Sequence, residues 1–442
     1  MLAAEIPLER EAHRLAAVIA LMVVLWLTEA LPLAVTALLG SVLAILLGVA
    51  PVQEVFAPYA DPVIFLLLGS LLVSEGLIAT GLDARLVRYA LGGKTIVLGG
   101  RFLALAAAGT AFLSMWMSNT VAAALVMPLV QAALSEAQLS QRFKAQAVLT
   151  VAYAASLGGI ATPIGTPVNL IALGFLRRAG TDLSFAVWIA SVFPLLVVLL
   201  GAWLVLVWQN RVRLALAPAP PLPWQSGERW MVGVFALMLL GWLAPGFSAL
   251  WGEPSHSLAR LPESSVALAG AVALFILPAR YSPFRPILTQ RALQRIDWGT
   301  LLLFGGGLSL GSLASKTGLS FWLGQKLLAA TGIESSLGLI ALSAVLALVL
   351  TEFMSNTAAV AVVLPVVSGM AEALGIPATP AVMAAALAAS MAFVLPVSTP
   401  PNAIAYSTGL VTVGQMVRFG LALDALAFAA ICLWSWLVWV KL

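Results

Sequence analysis

Two tripeptides interrupt long apolar stretches of the chain, Ser118-Asn119-Thr120 and Ser355-Asn356-Thr357. Their hydroxyls and amides lose hydration in such surroundings and must find partners. A break in the backbone there exposes the first amides of the helix that follows, at the positive end of its dipole. That is an anion site, and two such tips facing each other suit a dianion. A second pair of interruptions is rich in proline: Thr162-Pro163-Ile164-Gly165-Thr166-Pro167 and Val397-Ser398-Thr399-Pro400-Pro401. Proline removes amides and stops a helical ladder, while Gly165 permits an unusual turn. The carbonyls so freed suit a hard cation such as sodium, whose charge neutral oxygens leave uncancelled. The motif regions hold no arginine and few carboxylates. The cation would therefore supply the positive charge that holds the anion.

The motifs repeat in register. Residues 118–128 and 355–365, offset by 237, are identical at seven of eleven positions. The same offset relates Thr80-Gly81-Leu82 to Thr317-Gly318-Leu319 and Gly69 to Gly306. Thr166-Pro167-Val168-Asn169 matches Thr399-Pro400-Pro401-Asn402 at offset 233. Two copies of one unit are expected, repeat 1 at 13–209 and repeat 2 at 229–441, joined by a stiff linker at 210–228 with Pro218, Pro220, Pro221 and Pro223.

Such motifs need a scaffold, and the composition says which kind. Of 442 residues, 62% are hydrophobic and 9% charged, far from the roughly 25% charged of a soluble protein. Mean hydropathy is +1.06 along the whole chain, so its solvent is lipid. Polar alternation is absent, which leaves helices of about 20 residues as the spanning elements. Spans are expected at 14–30, 33–49, 62–80, 185–208, 229–247, 261–278, 298–316 and 415–440. Regions 101–135 and 335–374 read as re-entrant hairpins around the tripeptides, and 142–178 and 380–408 as broken helices. Glu5, Glu9 and Glu11 before the first run argue against a secretory signal, so that run is expected to stay in the membrane.

Lys and Arg favour the cytoplasmic side. With 84–101 inside, fourteen of the 22 basic residues fall inside, and the two hairpins open from opposite sides. The expectation is an all-α polytopic membrane protein of two inverted-topology repeats, a signature of alternating access.

Other chemistries find little support. The net charge of +4 is scattered between apolar runs instead of forming a nucleic-acid stripe. Cys432 is the single cysteine, and His13 and His256 have no metal-ligand spacing around them. No histidine lies near a break, so a hydrolase is not expected. Glu352 precedes the second tripeptide, but its equivalent is Met115, which argues against a role shared by both copies. Glu29, Glu75 and Asp424 are expected to be paired or to sit at span ends. Gly305, Gly306 and Gly307 lack the Lys-Ser or Lys-Thr of a phosphate loop and read as close helix packing. The tryptophans at 434–439 read as an interface belt.

The paired Ser-Asn-Thr tips and Thr-Pro-x-Asn breaks resemble the divalent anion/sodium symporter family, which carries dicarboxylates, citrate and sulfate, and the likeness covers nearly the whole chain. The resemblance implies a homodimer of elevator transporters in a cytoplasmic (inner) membrane, each with a scaffold at 13–92 and 229–331 and a transport part at 101–209 and 335–441. It implies one sodium site at Ser114, Ser118, Asn119 and Gly165 and another at Thr351, Met354, Asn356 and Ser398. Gly165, Met354 and Ser398 would contribute backbone oxygen. It places a small dianion against Ser118, Asn119, Thr120, Thr166 and Pro167 on one side and Ser355, Asn356, Thr357, Thr399 and Pro400 on the other. Family members commonly have one more N-terminal span, and a proline where Val168 stands.

Overall fold

The computed structural model describes residues 8–91, 96–135, 139–208, 212–215, 223–250 and 261–440. Lys94, Arg211, Pro218, Pro220, Pro221 and residues 251–260 of the expected outer loop lie outside them. The first half runs α1 (Arg10–Thr28), α2 (Leu33–Leu46), α3 (Val52–Phe56), α4 (Pro62–Thr80), α5 (Leu82–Leu91), α6 (Gly99–Ser114), α7 (Asn119–Ser135), α8 (Gln141–Gly159), α9 (Pro167–Arg178) and α10 (Phe185–Val207). The second half repeats that order: α11 (Ser226–Leu250), α12 (Glu263–Ile276), α13 (Gln290–Arg295), α14 (Trp298–Lys316), α15 (Leu319–Thr331), α16 (Ser336–Phe353), α17 (Asn356–Leu374), α18 (Thr379–Ala389), α19 (Pro400–Ser407) and α20 (Val413–Trp439).

Local signals set these boundaries. Asp61 caps α4 by accepting from the Val63 amide at 3.0 Å, and Asp297 caps α14 by accepting from that of Thr300 at 3.0 Å. The same two helices stop at Gly81 and just before Gly318, whose φ angles of 74° and 70° favour glycine. Two features depart from expectation. The 210–228 segment is not only a linker: β2 (Arg213–Ala215) pairs antiparallel with β1 (Ile96–Leu98), and α11 already starts at Ser226. Among the described residues seven helical segments are long and apolar enough to cross a membrane, but the expected spans at α2, α12 and α14 are not among them. Helices α2 and α12 have 14 residues each, about 21 Å at 1.5 Å per residue against a hydrocarbon core of about 30 Å, whereas α14 has 19 residues but is diluted by glycine and serine. Conversely α16 and α17, the expected hairpin arms, are both long enough.

The packing is reciprocal between the halves. Helix α4 lies against α12, and its counterpart α14 lies against α2. Both crossings are made at the glycines in register. A Cβ on Gly69 would stand 2.7 Å from the backbone of Ala267, and one on Gly306 would stand 2.7 Å from Cβ of Ala37. Backbones approach this closely only without side chains, so the packing role expected for Gly306 holds. A buried, doubly bonded ion pair joins the halves elsewhere: Arg85 Nε and Nη2 donate to Glu228 Oε1 and Oε2, each at 2.8 Å. At the centre, α18 is buried at every position and α8 along almost its whole length. A helix apolar on all sides belongs inside, and both of these run directly into the proline breaks.

Candidate functional site

Four interruptions converge around the ends of α8 and α18. Helix α6 packs on α8 and α16 on α18, while α7 meets α19 and α17 meets α9. Each tip is thus set against its own half's buried helix and the other half's restarted one.

At the first tip, the Ser114 hydroxyl lies 2.8 Å from Asn119 Oδ1 and 2.6 Å from the Ala155 carbonyl oxygen. The second tip repeats this: Thr351 Oγ1 is 2.7 Å from Asn356 Oδ1 and 2.7 Å from the Ala389 oxygen. A hydroxyl has one proton and cannot serve both acceptors at once. The arrangement is therefore a cluster of converging oxygens. Gly165 completes the first cluster, because a Cβ there would stand 2.5 Å from the Gly159 oxygen and 3.0 Å from that of Ser114. Such oxygen-rich, proton-poor surroundings fit a hard cation.

The tips also fit an anion. Ser118 Oγ accepts from the Val121 amide at 3.3 Å and Ser355 Oγ from that of Ala358 at 3.2 Å, so each serine caps the helix behind it. The capping oxygen keeps its proton as a free donor, and the first-turn amides at Asn119 and Thr120, and at Asn356 and Thr357, have no carbonyl one turn back. Thr166 and Thr399 stand at the N-cap positions of α9 and α19, with Pro167 and Pro400 at the first helical position; Thr399 Oγ1 accepts from the Asn402 amide at 3.4 Å, whereas the Thr166 hydroxyl makes no such bond. Met354 and Ser398 lie beside the second tip, both buried.

The breaks are fastened identically by their asparagines. Asn169 Nδ2 donates to the carbonyls of Gly159 and Thr162 at 2.9 and 2.7 Å, and Asn402 Nδ2 to those of Ala392 and Leu395 at 2.9 and 3.0 Å. In both, the remaining Oδ1 is buried without a donor. Beyond this the halves part company. Thr162 Oγ1 ties the first break to the Met115 carbonyl. At the second, Glu352 accepts from the amides of Val394 and Leu395 at 3.1 and 3.2 Å and from the Ser398 hydroxyl at 2.6 Å.

The comparisons with known proteins bear on this geometry. The description of the matching family profile is citrate transporter, and it covers residues 23–376 and 256–441. The sodium-dependent dicarboxylate transporter SdcS of Staphylococcus aureus, strain USA300, is 32% identical over 426 residues, covering 89% of this chain and 80% of that protein. This chain belongs to the divalent anion/sodium symporter family. It is a multi-pass membrane transporter and not an enzyme. Among solved structures, the YdaH transporter of Alcanivorax borkumensis aligns with a TM-score of 0.60 at 16% identity, over 87% of this chain and 86% of that one. MtrF of Neisseria gonorrhoeae aligns with a TM-score of 0.57 at 15% identity, over 98% and 95%. These two show the fold alone.

For a divalent anion/sodium symporter, three features here were not read from sequence. Glu352, dismissed on symmetry because Met115 is its equivalent, has its own task at the second break. Its signal was available: a carboxylate next to a break finds free amides. Arg295 lines a cavity beside the first tip, and Glu75 pairs with it at 3.5 Å. Only the fold brings α13 there. Asp424, buried at 4% exposure, is paired as expected, but its partner is a second carboxyl group, that of Glu352. The tryptophan belt is only partial, since Trp439 is buried and Trp434 donates to the Ser191 carbonyl at 2.7 Å.

Proposed function

We propose that the chain is a sodium-coupled symporter of small dianions, most simply C4-dicarboxylates such as succinate, working by alternating access. The observation that carries this is the duplicated oxygen cluster, Ser114 with Asn119 and Thr351 with Asn356, each beside a helix N-terminus. Two sodium ions sit at the two clusters, one among Ser114, Ser118, Asn119 and Gly165, the other among Thr351, Met354, Asn356 and Ser398. The substrate carboxylates meet Ser118, Asn119, Thr120, Thr166 and Pro167 from one half and Ser355, Asn356, Thr357, Thr399 and Pro400 from the other. Charge explains the coupling. A dianion entering against 100 mV loses about 4.6 kcal/mol, and two sodium ions cancel that charge.

The reciprocal crossings of α4 with α12 and α2 with α14 support a twofold relation between repeats at 13–209 and 229–441, and the Lys and Arg bias supports its being an inverted one. In this reading 13–92 and 229–331 form a scaffold that also makes a homodimer contact in a bacterial cytoplasmic (inner) membrane. The parts at 101–209 and 335–441 move as an elevator. The dicarboxylate named for SdcS supports the substrate class.

Uptake of radiolabelled succinate, citrate and sulfate into proteoliposomes is the test. Succinate should accumulate only with an inward sodium gradient, with a Hill coefficient for sodium above one. Sodium-independent uptake that requires internal dicarboxylate would instead identify an exchanger. For the topology, single cysteines at 84–101 and 248–260 in a Cys432→Ser background should react with an impermeant thiol reagent from opposite sides.

A further inference from the structure

The first tip faces a cavity of about 240 Å³, smaller than the roughly 300–1,000 Å³ of drug-sized ligand pockets. Its occupant is therefore small. One wall carries Ser118, Thr120 and Pro167, and the opposite wall carries Glu75 on α4 with Arg295 and Asp297 at the α13–α14 junction. The charged groups are differently engaged. Asp297 is committed to α14, since its carboxylate accepts from both the amide and the hydroxyl of Thr300. Arg295 is 64% exposed on its side chain and touches Glu75 at a loose 3.5 Å. A guanidinium has five N–H donors in a planar fork that matches a carboxylate, so one distant acceptor leaves most of that capacity unused.

We infer that Arg295 joins the second tip at the far carboxylate of the dianion while the first tip holds the near one, and that Glu75 occupies Arg295 until the substrate displaces it. The inference rests on the transport reading above and adds a residue to its site. A small acid with a carboxylate at each end can bridge the cavity, whereas a monocarboxylate of the same length leaves either the tip or Arg295 unanswered. In the proposed division Arg295 belongs to the scaffold and Ser118 to the moving part, so this contact exists only while the two walls face each other.

The pair gives the test two opposite signs. Purified protein in detergent, at saturating sodium, is titrated with succinate and separately with butyrate. Arg295→Gln should weaken succinate binding about tenfold, the loss of one charge-assisted hydrogen bond pair, and Arg295→Lys should recover part of it. Glu75→Gln should tighten succinate binding severalfold, because the competitor is gone. Sodium binding without succinate should be the same in all three, and Arg295→Gln should weaken succinate far more than it weakens butyrate. Wild-type binding of succinate that Arg295→Gln and Glu75→Gln both leave unchanged, or that both weaken, overturns the assignment of Arg295 alone. Wild-type protein that binds no dicarboxylate overturns the transport reading and the anchor together.

Discussion

The two proline breaks have the same backbone form but are held by different chemistry. At the first, a neutral hydroxyl on Thr162 reaches the Met115 carbonyl and the loop from Ile160 to Thr166 is buried. At the second, the Glu352 carboxylate takes up two amides and a hydroxyl, while Val397 in the loop is 83% exposed. A buried loop is kept in place by its surroundings and needs one bond. An open loop needs its own fastening, and a charged acceptor gives bonds roughly twice as strong as neutral ones. The tips differ in the complementary sense. Ser118 and Thr120 are exposed toward a cavity, whereas Ser355, Asn356 and Thr357 are half-buried beside Met354 and Ala358, which pack with α1, α2 and α14. The oxygen clusters match between the halves, and their supports do not.

The largest effects should therefore be shared by both halves. Asn119→Ala and Asn356→Ala each remove the oxygen that lies against Ser114 or Thr351, where the proposed cation and anion sites adjoin. Each variant should keep the wild-type elution profile in size-exclusion chromatography yet lose at least a hundredfold in succinate uptake. Wild-type rates in both would make the tips structural. A large loss in only one would mean that the duplicated clusters no longer share a task.

The next effect should separate the halves. Glu352→Ala leaves the Val394 and Leu395 amides without their acceptor and the Ser398 hydroxyl with only the Leu395 carbonyl at 3.1 Å, and a buried donor left unmet costs about 1–3 kcal/mol. Thr162→Val deletes one hydrogen bond, worth about 1 kcal/mol. Thermal unfolding in detergent should place Glu352→Ala well below Thr162→Val, with transport falling in the same order. Equal shifts would show that the two fastenings are equivalent in spite of their chemistry.

How much of this was legible beforehand follows from what a sequence encodes. Ser118-Asn119-Thr120 and its copy were visible because polar residues in an apolar run are conspicuous, and the 237-residue offset made coincidence untenable. Long helices follow from hydropathy, so their positions were accessible too. The ends of α2 and α12 were not, because an apolar run that continues past a helix end looks the same as one that does not. Arg295 and Glu75 stand 220 positions apart, and nothing local joins them. Glu352 was set aside by an argument from symmetry, which fails wherever two copies have diverged.

A smaller expected change concerns the cation alone. Ser114→Ala and Thr351→Ala remove one oxygen from each cluster but keep the asparagine and the backbone carbonyls. Both should raise the sodium concentration for half-maximal uptake by about three- to tenfold while leaving the maximal rate within a factor of two. Ser114→Thr and Thr351→Ser should stay close to wild type, because each half already uses the other's hydroxyl. A fall in maximal rate at saturating sodium would place these hydroxyls in the movement instead of in ion binding.

The smallest effect tests the crossings that hold the halves together. Gly69→Ala drives a methyl to within 2.7 Å of the Ala267 backbone, whereas Gly306→Ala meets the Cβ of Ala37 at 2.7 Å and the Tyr59 hydroxyl at 3.1 Å. The Ala37 methyl can be deleted, but a backbone can only be pushed. Overpacking of this kind costs about 1–3 kcal/mol. Gly69→Ala should therefore lie at the upper end and Gly306→Ala at the lower, read as the shift in unfolding midpoint. The double variant Gly306→Ala with Ala37→Gly should recover most of the loss, because it returns the missing space from the other helix. Ala267→Gly should rescue Gly69→Ala far less, since the Ala267 carbonyl carbon and oxygen, 2.7 and 2.9 Å from the new methyl, remain where they are. Rescue of equal size at both crossings would mean that the helices shift as bodies, and that their close approach is a property of the pair instead of the one glycine.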